Sequence, residues 1–223
     1  MDPEQKTAKI VGIFIILALT SSLMSGVFLE SVNQDNPDYL EDVSINETQV
    51  LIGVLLLATL TVSVVSIPIV MFTIFKRYNE SLALGYVGAR IFEGISDAVM
   101  AISMVLIVAL SREFVDAGST VTPIFQTSGA LILALFDWIG VLENIPYCFG
   151  VLMFSYLLYQ SKLVPRWLAV WGLIGGALLL TRVPLSMFVF DPLSTAVLAI
   201  PIIVNEIVLA VWLIIRGFNS SGE

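Results

Sequence analysis

Arg90, Glu93 and Asp97 lie three and four residues apart in the stretch GARIFEGISDAV, inside a hydrophobic run from Ser81 to Leu110. At about 100° per residue that spacing places all three on one helix face, within about 60° of each other. Other apolar runs repeat the motif of isolated polar groups beside a proline. Glu143 and Asn144 precede Pro146, Arg182 precedes Pro184, and Asn205 and Glu206 follow Pro201. A guanidinium one turn from a carboxylate neutralises it, whereas surplus carboxylates must take protons, water or a cation. The chemistry open to this set is therefore the binding or passage of a small solute, an ion or proton, or a lipid headgroup. A salt-bridged core that only joins helices is a second reading, and intramembrane acid–base catalysis by the carboxylates a third.

Composition narrows these choices. The chain has no histidine, which removes His-ligated haem, the usual catalytic zinc sites and the commonest proton shuttle near neutral pH. No metal-ligand set and no cofactor motif stands in its place. The GxGD loop of an intramembrane aspartyl protease is absent, so the enzyme reading is the weaker one. A net charge of −8 argues against a nucleic-acid partner, because phosphate binding needs a basic face. Cys148 is the single cysteine and reads as a small packing residue.

The elements that position these residues are membrane spans. Only 13% of the chain is charged, about half the share of a soluble domain, and the mean hydropathy is +0.98. Several apolar runs exceed the roughly 18 residues that mark a spanning helix. The reading is an all-α, polytopic bundle of six transmembrane helices in one domain, covering residues 1–223. The spans fall at about 10–29, 49–75, 81–110, 137–159, 167–189 and 195–215. The first is too long for the 7–15-residue core of a signal peptide and reads as a helix. Residues 124–160 are too long for one crossing, so 124–136 is expected to lie in the interface. An acidic loop, 30–47, holds six carboxylates and no Lys or Arg.

Charge sets the orientation. Lys6, Lys9, Lys76, Arg77, Lys162, Arg166 and Arg216 fall on one side of the six crossings, and only Arg112 on the other. The positive-inside rule then puts both termini in the cytoplasm and the acidic loop outside a cell (plasma) membrane crossed many times.

Inside the spans four acids (Glu93, Asp97, Glu143, Glu206) face two arginines (Arg90, Arg182), with Asp137 expected at the outer interface. A charge at the bilayer centre costs several kcal/mol even on the lower scales, so the stripe must turn into the bundle. Pro146, Pro184 and Pro201 are each expected to free a carbonyl four residues earlier, the pattern of broken-helix transporter sites. Gly172 and Gly176 have the GxxxG spacing of close helix contact, used within the monomer more readily than for an oligomer. Spans three to six are expected to build the polar interior, while one and two wrap or anchor it.

Three segments carry a resemblance: LALGYVGARIFEGI, LLYQSKLVPRWLAVWGLIGG and PIIVNEIVLAVWLIIRGFN. Together with Arg90 and Glu93, the Pro165–Arg166 turn, and Pro201, Glu206 and Trp212 before Gly217, the chain resembles a prokaryotic membrane family. That family is catalogued as domain of unknown function 4386. The resemblance implies a six-helix architecture over nearly the whole chain and supplies no reaction.

Overall fold

The computed structural model of this chain describes residues 3–32, 36, 38–117, 122–188 and 196–219. Among these residues there is no strand. In chain order the helices are α1 (Pro3–Phe28), the short α2 (Tyr39–Ile45), α3 (Glu47–Phe75), α4 (Glu80–Ala117), α5 (Thr122–Leu142), α6 (Asn144–Ser161) and α7 (Arg166–Phe188). A 3₁₀ turn, Ala196–Ala199, leads into α8 (Ile200–Ile215). Six helical stretches are long and apolar enough to cross a membrane, α5 and α6 together forming one of them. The chain is a multi-pass membrane protein by this measure. Large side chains such as Leu55, Val62, Leu84, Phe92 and Ile174 point outward, as expected where the surrounding solvent is hydrocarbon.

The spanning helices touch in chain order and close on themselves. α1 packs on α3, α3 on α4, α4 on α6, α6 on α7, α7 on α8, and α8 returns to α1. α5 lies outside this ring against α4, and α2 caps the same end of α4.

One end of the ring carries Lys76, Arg77, Lys162 and Arg166, and is tied by polar contacts. Gln5 Nε2 donates to the Phe218 carbonyl at 2.7 Å, and Asn219 donates from its backbone to Leu163 O and from its side chain to Lys162 O. Arg77 pairs with Glu4 at 2.7 Å. At this basic end the interior is filled. Phe75, Tyr86 and Phe154 meet with ring centroids 5.2–6.2 Å apart, and Val11, Met71, Leu158 and Leu213 complete a dry core around them. The acidic end has its own core, where Tyr39, Leu40 and Val43 of α2 pack on Leu57, Met104 and Ile107.

Three boundaries differ from the sequence reading, each for a local reason. α4 runs on to Ala117 rather than ending near Leu110, because its polar extension finds partners. Ser111 donates to Leu40 O at 2.5 Å, and Arg112 Nε donates to Glu47 at 2.9 Å. The break expected at Phe136 falls instead at Glu143. There Pro146 has no N–H for the carbonyl of Leu142, and the Asn144 amide bonds the carbonyls of Gly140 and Val141 at 2.8 and 3.2 Å. Pro201 opens α8 rather than kinking it, a first-turn position where its missing N–H costs nothing. The expected turn at 190–194, the last residue of the fifth span, the first of the sixth, and residues 33–35 and 37 of the acidic loop lie outside the described residues.

Ring closure needs a small residue at its seam. A Cβ on Gly12 of α1 would stand 2.8 Å from Ile214 Cγ1 and 2.9 Å from the Ala210 carbonyl of α8. Gly12→Ala is therefore expected to lower stability by about 1–3 kcal/mol. Gly26→Ala, where a Cβ meets nothing within 4 Å, is expected to cost nothing. Melting temperatures of the two variants in detergent test this; equal melting would mean that the seam is not close-packed.

Candidate functional site

The site is assembled by helical period. Tyr86, Arg90, Glu93 and Asp97 recur every three or four residues on α4, and all four face inward with 6% exposure or less. The same period brings Glu143, at the α5–α6 junction, and Tyr147 and Phe154 of α6 to the same cavity, with Gly150 of α6 against Arg90. α7 supplies Arg182, and α8 supplies Asn205 and Glu206. All eight polar residues singled out in the sequence (Arg90, Glu93, Asp97, Glu143, Asn144, Arg182, Asn205 and Glu206) line one cavity of about 230 Å³ inside the ring. Its lining runs along α4 from Tyr86, beside the aromatic cluster, to Asp97, about 16 Å nearer the acidic end.

Arg90 is the centre of the polar wall. Its Nη1 donates to both oxygens of Glu93, at 2.9 and 3.0 Å. The rings of Tyr86 and Tyr147 flank the guanidinium with centroids 5.7 and 5.2 Å from Cζ. Room for it comes from Gly150, where a Cβ would sit 3.1 Å from Arg90 Nε. The Tyr147 hydroxyl donates in turn to Glu206 Oε1 at 2.8 Å.

Two of the eight are committed to the backbone. Asn144 holds the α5–α6 junction, and Asn205 Nδ2 donates to Leu168 O of α7 at 3.0 Å. Others are not satisfied. Among the described residues six buried side-chain polar atoms have no hydrogen-bond partner, and four of them belong to this cavity: Tyr86 Oη, Arg90 Nε, Asp97 Oδ2 and Arg182 Nε. Native interiors seldom leave such groups bare, so a cluster of them marks a place where something else supplies the bonds. Glu143 borders the same cavity as Asp97 and Glu93.

A second wall, apolar apart from Ser22, comes from the helices expected to wrap or anchor the bundle. Ile15, Ala18 and Leu19 of α1 and Leu60, Val64 and Ile67 of α3 face the cavity. A membrane helix is apolar toward lipid and toward an apolar cavity alike, so sequence offers no way to separate these roles. Tyr86, Tyr147 and Gly150 also escaped notice. Tyr86 is four residues before Arg90, Tyr147 four after Glu143 and Gly150 seven after it, one face in each case, but aromatics and glycines are common in such helices. Asp137, by contrast, is exposed on α5 and stays off the cavity.

The glycines of α7 pack within the chain. Gly172 abuts Ser155 and Asn205, Gly176 abuts Val151 and Leu152, and between them Gly175 meets the backbone of Ile202. These contacts seat α7 closely on α6 and α8. Cys148 is fully buried beside Val151 and Leu179.

A family model described as a domain of unknown function (DUF4386) matches residues 10–217, and the chain belongs to that family. No curated protein and no solved structure matches it.

Breaking the central pair tests its weight. Glu93→Ala leaves the Arg90 guanidinium buried without its carboxylate and is expected to cost about 3–5 kcal/mol. Replacing both partners, Arg90→Met with Glu93→Leu, is expected to be far milder, because no charge is then stranded. Thermal melts of both variants decide it: if the double variant melts as low as Glu93→Ala, the loss comes from packing and not from the charge.

Proposed function

We propose that this member of the domain-of-unknown-function 4386 family is a prokaryotic plasma-membrane protein that binds or passes a small solute in the cavity of its helix ring. Both termini lie in the cytoplasm on this reading. Seven basic residues at one end against Arg112 at the other support the orientation through the positive-inside rule. On this reading the solute enters from the acidic, external end, and the Phe75, Tyr86 and Phe154 cluster fills the basic end.

The observation that carries the proposal is the coincidence of cavity and unmet polarity. Four bare polar atoms and four carboxylates border a space of about 230 Å³. About 10–15 Å³ of such space holds one water, so this cavity has room for a small molecule. Concave sites with one apolar wall and a few convergent polar groups are the usual form of small-molecule sites. The Arg90–Glu93 pair favours a second reading, that of a purely structural charge cluster, but a structural cluster has no use for the bare oxygen of Asp97 or for the space beside it.

Thiol accessibility tests this. In a Cys148→Ala background the chain has no cysteine. Ala18→Cys and Ile203→Cys would then place a thiol in the cavity wall, and Leu17→Cys one on the exposed face of α1. A small, membrane-impermeant thiosulfonate added outside is expected to label the first two and spare the third. No labelling at either cavity position would mean a sealed, dry interior and would end the proposal.

A further inference from the structure

The cavity's acids outnumber its arginines, and each surplus acid must take a proton, water or a cation. Arg90 has its countercharge: Glu93 accepts two bonds from Nη1, and two tyrosine rings flank the guanidinium, while its Nε stays without a partner. Granting Arg182 one further carboxylate still leaves two of Asp97, Glu143 and Glu206 without a cation. Glu206 accepts a hydrogen bond from Tyr147. Asp97 is the exposed deficit. Only 1% of its surface is accessible and its Oδ2 has no partner, and Glu143 at the α5–α6 junction adds a second carboxylate to the same cavity. A buried carboxylate without a partner is costly, and a positive group in the cavity removes that cost.

The rest of the lining restricts the shape of that positive group. Among the described residues no three carboxylates or cysteines converge as a metal-ligand set. The α1–α3 wall consists of residues such as Ala18, Leu19, Leu60 and Val64, with the Ser22 hydroxyl its one polar side chain, too little to replace the shell of a hydrated ion. The volume also exceeds what a bare monovalent ion fills.

We infer that the cavity is a site for a small organic cation, an ammonium group carried on an apolar body. Asp97 and Glu143 face the ammonium, and the α1–α3 wall takes the body. This rests on the reading that the cavity admits a solute. Arg182 and Arg90 are not ligands in this arrangement; Arg90 holds Glu93 and shapes the floor. Either a free amine or the amine of a lipid headgroup has this chemistry.

Benzyltrimethylammonium is a suitable probe because its charge is permanent and its ring is apolar. Phenylacetate serves as an anion of similar size. The full chain is reconstituted in phosphatidylglycerol nanodiscs, and two signals are read: calorimetric binding, and protection of Ala18→Cys from the thiosulfonate. Saturable binding and protection by the cation, and none by phenylacetate, are expected. Asp97→Asn and Glu143→Gln are each expected to weaken binding roughly thirty-fold. Glu143 sits half-buried at a helix junction, so Glu143→Gln keeps the test open if Asp97→Asn fails to fold. Weaker apparent binding in discs containing phosphatidylethanolamine would assign the amine to a lipid, and unchanged binding to a free solute; both agree with the cation site. If Ala18→Cys is labelled but the cation neither binds nor protects, the solute cavity stands and the cation is wrong. Protection by phenylacetate that Arg182→Gln abolishes, or normal cation binding by both acid variants, would overturn the inference in the same way.

Discussion

A guanidinium in hydrocarbon must be surrounded, and the architecture follows from how Arg90 is surrounded. Glu93 on the same helix neutralises it, but a pair on a single helix facing lipid would still be exposed to the acyl chains. α6 covers it from the other side, approaching through Gly150 and setting Tyr147 over the charge. That fixes the rotation of both helices about their axes. Once α4 is turned so that Arg90 and Glu93 face α6, Asp97 two turns along must also point inward, and Phe92, Ile95 and Ile102 must point out. The carboxylate excess is thus enclosed by the same geometry that shelters the arginine.

Enclosure divides the ring into two regions. Toward the basic end the helices converge on the stacked and edge-on rings of Tyr86, Phe154 and Phe75, and no space remains. Toward the acidic end the proline-interrupted junction at Glu143 lets α5 leave the ring and lie against α4. The cavity occupies the interior between these regions. Tyr86 belongs to both, one face packed in the aromatic cluster and its hydroxyl without a partner.

What could be read in the sequence was whatever contrasts with lipid. Six apolar lengths and the inward face of the Arg90–Asp97 stripe follow from period and hydrophobicity, because a charge on a membrane helix has one tolerable direction. The eight polar residues could be named for the same reason, though not their separate tasks. Asn144 and Asn205 turned out to spend their amides on backbone carbonyls, which residue type alone does not distinguish from ligand contact. Apolar residues carry no such contrast. Leu19 and Leu60 in the cavity wall look like Leu17 and Leu55 on the outer face. Helix ends carry little contrast as well, since the polar tail of α4 has the composition of a loop and is held as helix by partners on α2 and α3.

The closing contact of the ring joins parts of the chain that are made at opposite times. Gln5 bonds Phe218 across 213 residues, and α1 meets α8 through Gly12. During synthesis α1 therefore enters the bilayer long before the helix that completes its packing exists. Until α8 arrives, the groove that will become the cavity lies open to lipid along that missing side. Contacts of such sequence separation form late and slowly. The later of these two spans is thus the one that turns an unfinished sheaf of helices, with its charges accessible to acyl chains, into a ring closed against lipid along that side.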